Sequence, residues 1–106
     1  MLFRSALGTD YNPGTCPIRS MPLTIGLACQ RYGLSPAEAL IAATNNAAHA
    51  IGKGTEVGSL EVGKHADLLL LNVPSYAHIP YRFGENPVGT VIVGGEIVVN
   101  EGAVQR

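Results

Sequence analysis

Apolar positions along the chain fall into blocks separated by glycine, proline and small polar residues, and their spacing changes character half-way. Residues 2–7 are mostly apolar without clean alternation, and Gly8-Thr9-Asp10 stops the run. Such a run reads as a short strand buried on both faces, as in a parallel sheet. From Asp10 to Pro22 the chain reads as a loop, with a turn at Asn12-Pro13-Gly14 and Pro17 opposing regular pairing. Ser20 is placed to cap a helix from Met21 to Tyr32, with Pro22 tolerated in the first turn and Gly33 as its stop. Leu23, Ile25, Leu27, Ala28 and Cys29 make this helix apolar nearly all round, so it is expected to be largely buried. Ser35-Pro36-Ala37-Glu38 is a capping box with proline at the first helical position. Leu40, Thr44, Ala47, Ala48 and Ile51 then share one helical face until Gly52 ends the helix.

After Gly52 the period shortens and turn residues recur at Gly54, Gly58, Gly63, Pro74, Pro80, Gly84, Pro87 and Gly94-Gly95. Candidate strands lie between them at 59–62, 67–73, 88–93 and 96–100, the last two joined by a two-residue hairpin turn. The order is strand, loop, two helices and a β-rich tail, an α/β arrangement. A lone parallel strand at 2–7 needs partners that this chain does not supply. The four tail strands half-close a sandwich and leave an edge or a face open.

Composition sharpens that incompleteness. Hydrophobic residues make up 46% of the 106 positions and charged residues 14%, against about 25% charged in ordinary soluble domains. Mean hydropathy is +0.20, high for so small a domain, so part of the apolar surface is expected to meet a partner. A net charge of −1 leaves no basic footprint for nucleic acid or anionic lipid. Cys16 and Cys29 are too few for a disulfide scaffold and read as reduced thiols of a cytoplasmic protein. No apolar run approaches the ~20 residues of a membrane span, and the first residues lack the pattern of a signal peptide.

Candidate chemistry concentrates at Asp10. Before Asn-Pro-Gly, an aspartate commonly serves its own turn; at the end of a buried parallel strand, it stands where α/β enzymes place metal ligands and general bases. His49, His65 and His78 have none of the spacings that bring two imidazoles to one ion and read as structural or surface residues. No phosphate loop or nucleophile elbow is present. Cys16 has no neighbour that would lower its pKa, and Arg19 and Arg31 read as solvated.

Two stretches are more particular. Leu7-Gly8-Thr9-Asp10-Tyr11-Asn12-Pro13-Gly14-Thr15 and Pro80-Tyr81-Arg82-Phe83-Gly84-Glu85-Asn86, with Gly58-Ser59-Leu60-Glu61-Val62-Gly63-Lys64 and Ala66-Asp67-Leu68 between them, resemble the imidazolonepropionase family of the amidohydrolase superfamily. The resemblance covers essentially the whole chain and matches roughly the last quarter of a family member. It implies a C-terminal piece of a larger enzyme. Residues 1–52 would supply the last strand of a (β/α)₈ barrel, a substrate loop and two helices, and 53–106 a segment of a small β-sandwich.

By the same resemblance, Asp10 is the metal-binding and catalytic aspartate, and Asn12, Gly14 and Thr15 bind the substrate. The implied cofactor is one Zn²⁺ or Fe ion. The implied reaction is ring opening of 4-imidazolone-5-propionate to N-formimidoyl-L-glutamate in histidine degradation. Partners would be this small molecule and either the missing N-terminal barrel segment or a second copy. The family's metal-binding histidines have no counterpart here, and a catalytic zinc normally takes three protein ligands. The chain alone is therefore expected to be inactive. Alternative readings are another cyclic amidohydrolase or deaminase, or a non-catalytic β-rich interaction module.

Overall fold

The computed structural model describes residues 5–105. Its first helix, α1 (Met21–Tyr32), has the bounds its signals predict. The Ser20 hydroxyl accepts from the Leu23 amide, and Gly33 turns into the left-handed region at φ 69° to end the helix. Helix α2 (Pro36–Ala43) opens on the complete capping box: the Ser35 hydroxyl accepts from the Glu38 amide, and Glu38 accepts from the Ser35 amide.

The single helix expected after Ser35 is broken in two. At Thr44 the backbone leaves helical geometry (φ −119°, ψ −83°), and the chain re-enters as α3 (Asn45–Ala50). The Thr44 hydroxyl donates to the Leu40 carbonyl at 2.7 Å, a back-bond that competes with the regular ladder. The break shifts the helical phase of the later residues. Ala39, Ala42 and Ala48 are buried, whereas Thr44 and Ile51, expected on the inner face, are exposed.

The second half is a four-stranded antiparallel meander in the order β1-β2-β3-β4: β1 (Leu68–Leu71), β2 (Val88–Val93), β3 (Glu96–Asn100) and β4 (Ala103–Val104). Gly94 and Gly95, both at positive φ, make the tight turn between β2 and β3. Two expectations are corrected. Residues 59–62 form no strand, because the Ser59 hydroxyl donates to Glu61 while Lys64 reaches both Ser59 and Glu61, closing a local turn. The segment read as all-β contains a short helix, α4 (His78–Tyr81), and an unexpected two-residue strand at Ala103–Val104. Among the described residues the sheet is a single four-stranded layer.

The core lies among the helices. Ile25 and Ala28 of α1, Leu34 of the turn after it, Ala39 and Ala42 of α2, and Ile79 of α4 are buried together, with Leu7, Cys29, Leu40, Ala43 and Leu71 packed against them. The core is small and rich in alanine, and α1 is buried on one side rather than all round: Leu27 is exposed. Among the described residues the sheet meets that core through Leu71, and no helix runs along either of its faces. Of the expected strand at 2–7, residues 2–4 lie outside the described part, and 5–7 have no regular structure. That segment is nevertheless anchored: the Leu7 amide donates to the Ala42 carbonyl at 3.0 Å and Asn46 donates to the Ser5 carbonyl at 2.9 Å.

Candidate functional site

Anchored at Leu7 on one side and capped at Ser20 on the other, the intervening loop is organised by Asn12. Its side-chain oxygen accepts from the Gly14 amide at 2.9 Å, the Thr15 amide at 2.7 Å and the Thr15 hydroxyl at 3.2 Å. Its side-chain nitrogen donates to the Asp10 carbonyl at 2.7 Å, and its backbone amide donates to the Cys16 carbonyl at 2.9 Å. One asparagine thus closes the turn over Pro13-Gly14 and holds Asp10 from behind. Asparagine suits the position because it offers donor and acceptor at once.

Asp10 itself sits at φ 54°, a left-handed conformation that aspartate tolerates better than most side chains. It is exposed. Around it, Thr9 accepts twice: its hydroxyl from the Tyr11 amide at 3.2 Å, and its carbonyl from the Cys16 thiol at 3.1 Å. The guanidinium of Arg19 lies 5.7 Å from the centre of the Tyr11 ring, within cation–π range. Tyr11, Thr15, Cys16 and Arg19 border an open concavity of about 500 Å³ that begins just after Asp10.

The structure therefore gathers Asp10, Asn12, Gly14 and Thr15 into one turn. It leaves the histidines elsewhere: His49 on α3, His65 ahead of β1 and His78 on α4. Among the described residues no three histidine, cysteine or acidic side chains come together as a metal centre. The thiol of Cys29, partly buried against the core, is pushed up by desolvation and belongs to packing rather than to the site. Two contributions escaped the sequence reading, the Thr9 carbonyl gripping Cys16 and the Arg19–Tyr11 stack. Both depend on how the loop doubles back on itself, and only the Asn-Pro-Gly turn hinted at it.

The profile of the amidohydrolase family matches residues 3–98. The chain belongs to the amidohydrolase family. This amidohydrolase chain is 56% identical over 101 residues to the imidazolonepropionase of Symbiobacterium thermophilum, and 58% identical over 99 residues to that of Geobacillus kaustophilus. These matches take in 95% and 93% of this chain but 24% and 23% of the relatives. It thus corresponds to the carboxyl-terminal portion of such a protein and spans about a quarter of its length. Among solved structures, a zinc-bound adenosine deaminase from Xanthomonas campestris superposes with a TM-score of 0.64 at 25% identity, over 79% of this chain and 22% of that one.

Proposed function

We propose that this chain is the carboxyl-terminal part of a metal-dependent amidohydrolase that opens the cyclic amide of 4-imidazolone-5-propionate to N-formimidoyl-L-glutamate. The similarity to imidazolonepropionases, at 56% and 58% identity across nearly the whole chain, carries this reading. In it, residues 1–52 supply the last barrel strand, the substrate loop and the outer helices, and 53–106 the carboxyl-terminal share of a β-sandwich. The thin helical core and the sheet that no helix covers support a larger assembly. The partner is then either an N-terminal barrel segment or a second copy of the chain. Free Cys16 and Cys29 are in keeping with a cytoplasmic setting.

The described residues do not make a centre for Zn²⁺ or Fe on their own; Asp10 is proposed as one ligand among several supplied by other polypeptide. An ion of this kind, when bound, lowers the pKa of its water to about 7. The part that falls to Asp10 is proton transfer. As water oxygen adds to the ring carbonyl carbon and the C–N bond breaks, its carboxylate takes the water proton and returns it to the leaving nitrogen.

Asn12 acts by shape, since its side-chain oxygen is committed to the loop. Gly14 lets the substrate approach the backbone, and the Thr15 hydroxyl retains capacity to accept. Likeness to an adenosine deaminase favours, as second reading, a deaminase of the same family. Grafting this chain in place of the matching quarter of the Symbiobacterium enzyme tests the proposal. Turnover of imidazolone-propionate supports it, and a folded graft that instead deaminates a nucleoside overturns it.

A further inference from the structure

The loop between Leu7 and Ser20 carries two charges, Asp10 near its start and Arg19 at its end. They do not neutralise each other: among the described residues neither side chain takes part in an ion pair. Arg19 is held by the Tyr11 ring, 5.7 Å from its guanidinium carbon, and cation–π attraction fixes a head group without supplying an anion. The side chain is exposed. A guanidinium presents five N–H donors in a planar fork that fits a carboxylate. Arg19 is also the one charged side chain among those lining the concavity of about 500 Å³ that begins just after Asp10. Its neighbour Ser20 caps α1, whose first turn holds no acidic residue. The positive end of that helix therefore adds to the charge of Arg19 instead of being offset.

We propose that Arg19 anchors the carboxylate of the molecule seated in this concavity and so selects an anionic cyclic amide over a neutral one. The inference rests on the reaction proposed above and deepens it. With the ring amide at Asp10, the propionate arm runs along the loop past Thr15 to the guanidinium. A nucleoside, the substrate of the second reading, is uncharged and leaves Arg19 without a partner. A carboxylate from other polypeptide is the rival occupant. To reach Arg19 it would have to fill the concavity, and that would shut a small molecule out of the space beside Asp10, Gly14 and Thr15. A site built around one cation also discriminates sharply, because an analogue lacking the anion leaves the fork unsatisfied.

The graft of this chain into the Symbiobacterium enzyme carries the test, with circular dichroism to check that each variant folds. Arg19→Gln should raise KM for imidazolone-propionate about ten-fold or more, the scale of a lost charge-assisted bond, and leave kcat within about two-fold. The carboxamide analogue of the substrate should show the raised KM already in the parent graft, with no further rise in Arg19→Gln. Arg19→Lys, which keeps the charge but not the fork, should fall between the two. Arg31→Gln, an equal change of charge at the far end of α1, should alter nothing. Calorimetric binding of imidazole-4-propionate and of its carboxamide makes the same comparison without turnover, so the anchor and the reaction fail separately. A graft that turns nothing over, yet loses its preference for the carboxylate in Arg19→Gln, keeps the anchor and overturns the reaction. An unchanged KM in Arg19→Gln, or equal losses for carboxylate and carboxamide, overturns the anchor. So does a folded graft that binds the two analogues equally well.

Discussion

Gly26 of α1 lies directly beneath Phe83: a Cβ built on residue 26 would overlap the Cβ and the ring of that phenylalanine. This contact docks the stretch around α4 onto the helix that succeeds the Asp10 loop. It explains why α1 carries a glycine where helix propensity alone favours alanine. Gly26→Ala is expected to destabilise the chain by about 1–3 kcal/mol through overpacking, measured by urea unfolding. Gly84→Ala, at a position with nothing within 4 Å of the added carbon, serves as the near-neutral control.

The capping box of α2 makes stability depend on acid in a defined direction. The Ser35 amide, and after it the Ser35 hydroxyl, hold the Glu38 carboxyl below its ordinary range. A carboxyl depressed in the folded state contributes stability above its unfolded pKa, and loses that contribution as pH falls through the folded value. Glu61 has the same sign, held down by the Ser59 hydroxyl and then by Lys64. Acid titration of thermal stability should therefore fall less steeply in Glu38→Gln than in the wild type. Ser35→Ala should cost about 1 kcal/mol at neutral pH.

Removing the organiser of the loop should loosen it without unfolding the chain. In Asn12→Ala, the Gly14 and Thr15 amides lose their common acceptor. At about 1 kcal/mol for a net hydrogen bond, their exchange should quicken roughly five-fold, while exchange in α1 stays as it was. Equal acceleration in α1 would mean that the loop and the helix open as one unit.

Local signals wrote α1 and the start of α2 plainly into the sequence. Ser20 and Gly33 delimit α1, and Ser35 with Glu38 opens α2. What sequence pattern could not convey is competition between local and longer bonds. At Thr44 a hydroxyl back-bond accompanies a break that no glycine or proline announces. At 59–62 the alternating Leu60 and Val62 suggest a strand, yet both are exposed, and Lys64 ties the segment into a turn. The same divide holds at the site. The Asp10–Thr15 turn is readable because asparagine, proline and glycine dictate it locally. A centre assembled from distant strands leaves no such local pattern, and among the described residues no three candidate ligands come together.

The role given to Asp10 is tested most directly by metal content and turnover of the grafted enzyme, with and without Asp10→Asn. The graft is expected to bind one equivalent of metal and to open imidazolone-propionate. Asp10→Asn should keep the fold, weaken metal retention and lower kcat by about 10² or more, the scale of a lost general acid–base group. A folded Asp10→Asn graft that retains its metal and its turnover would contradict that role.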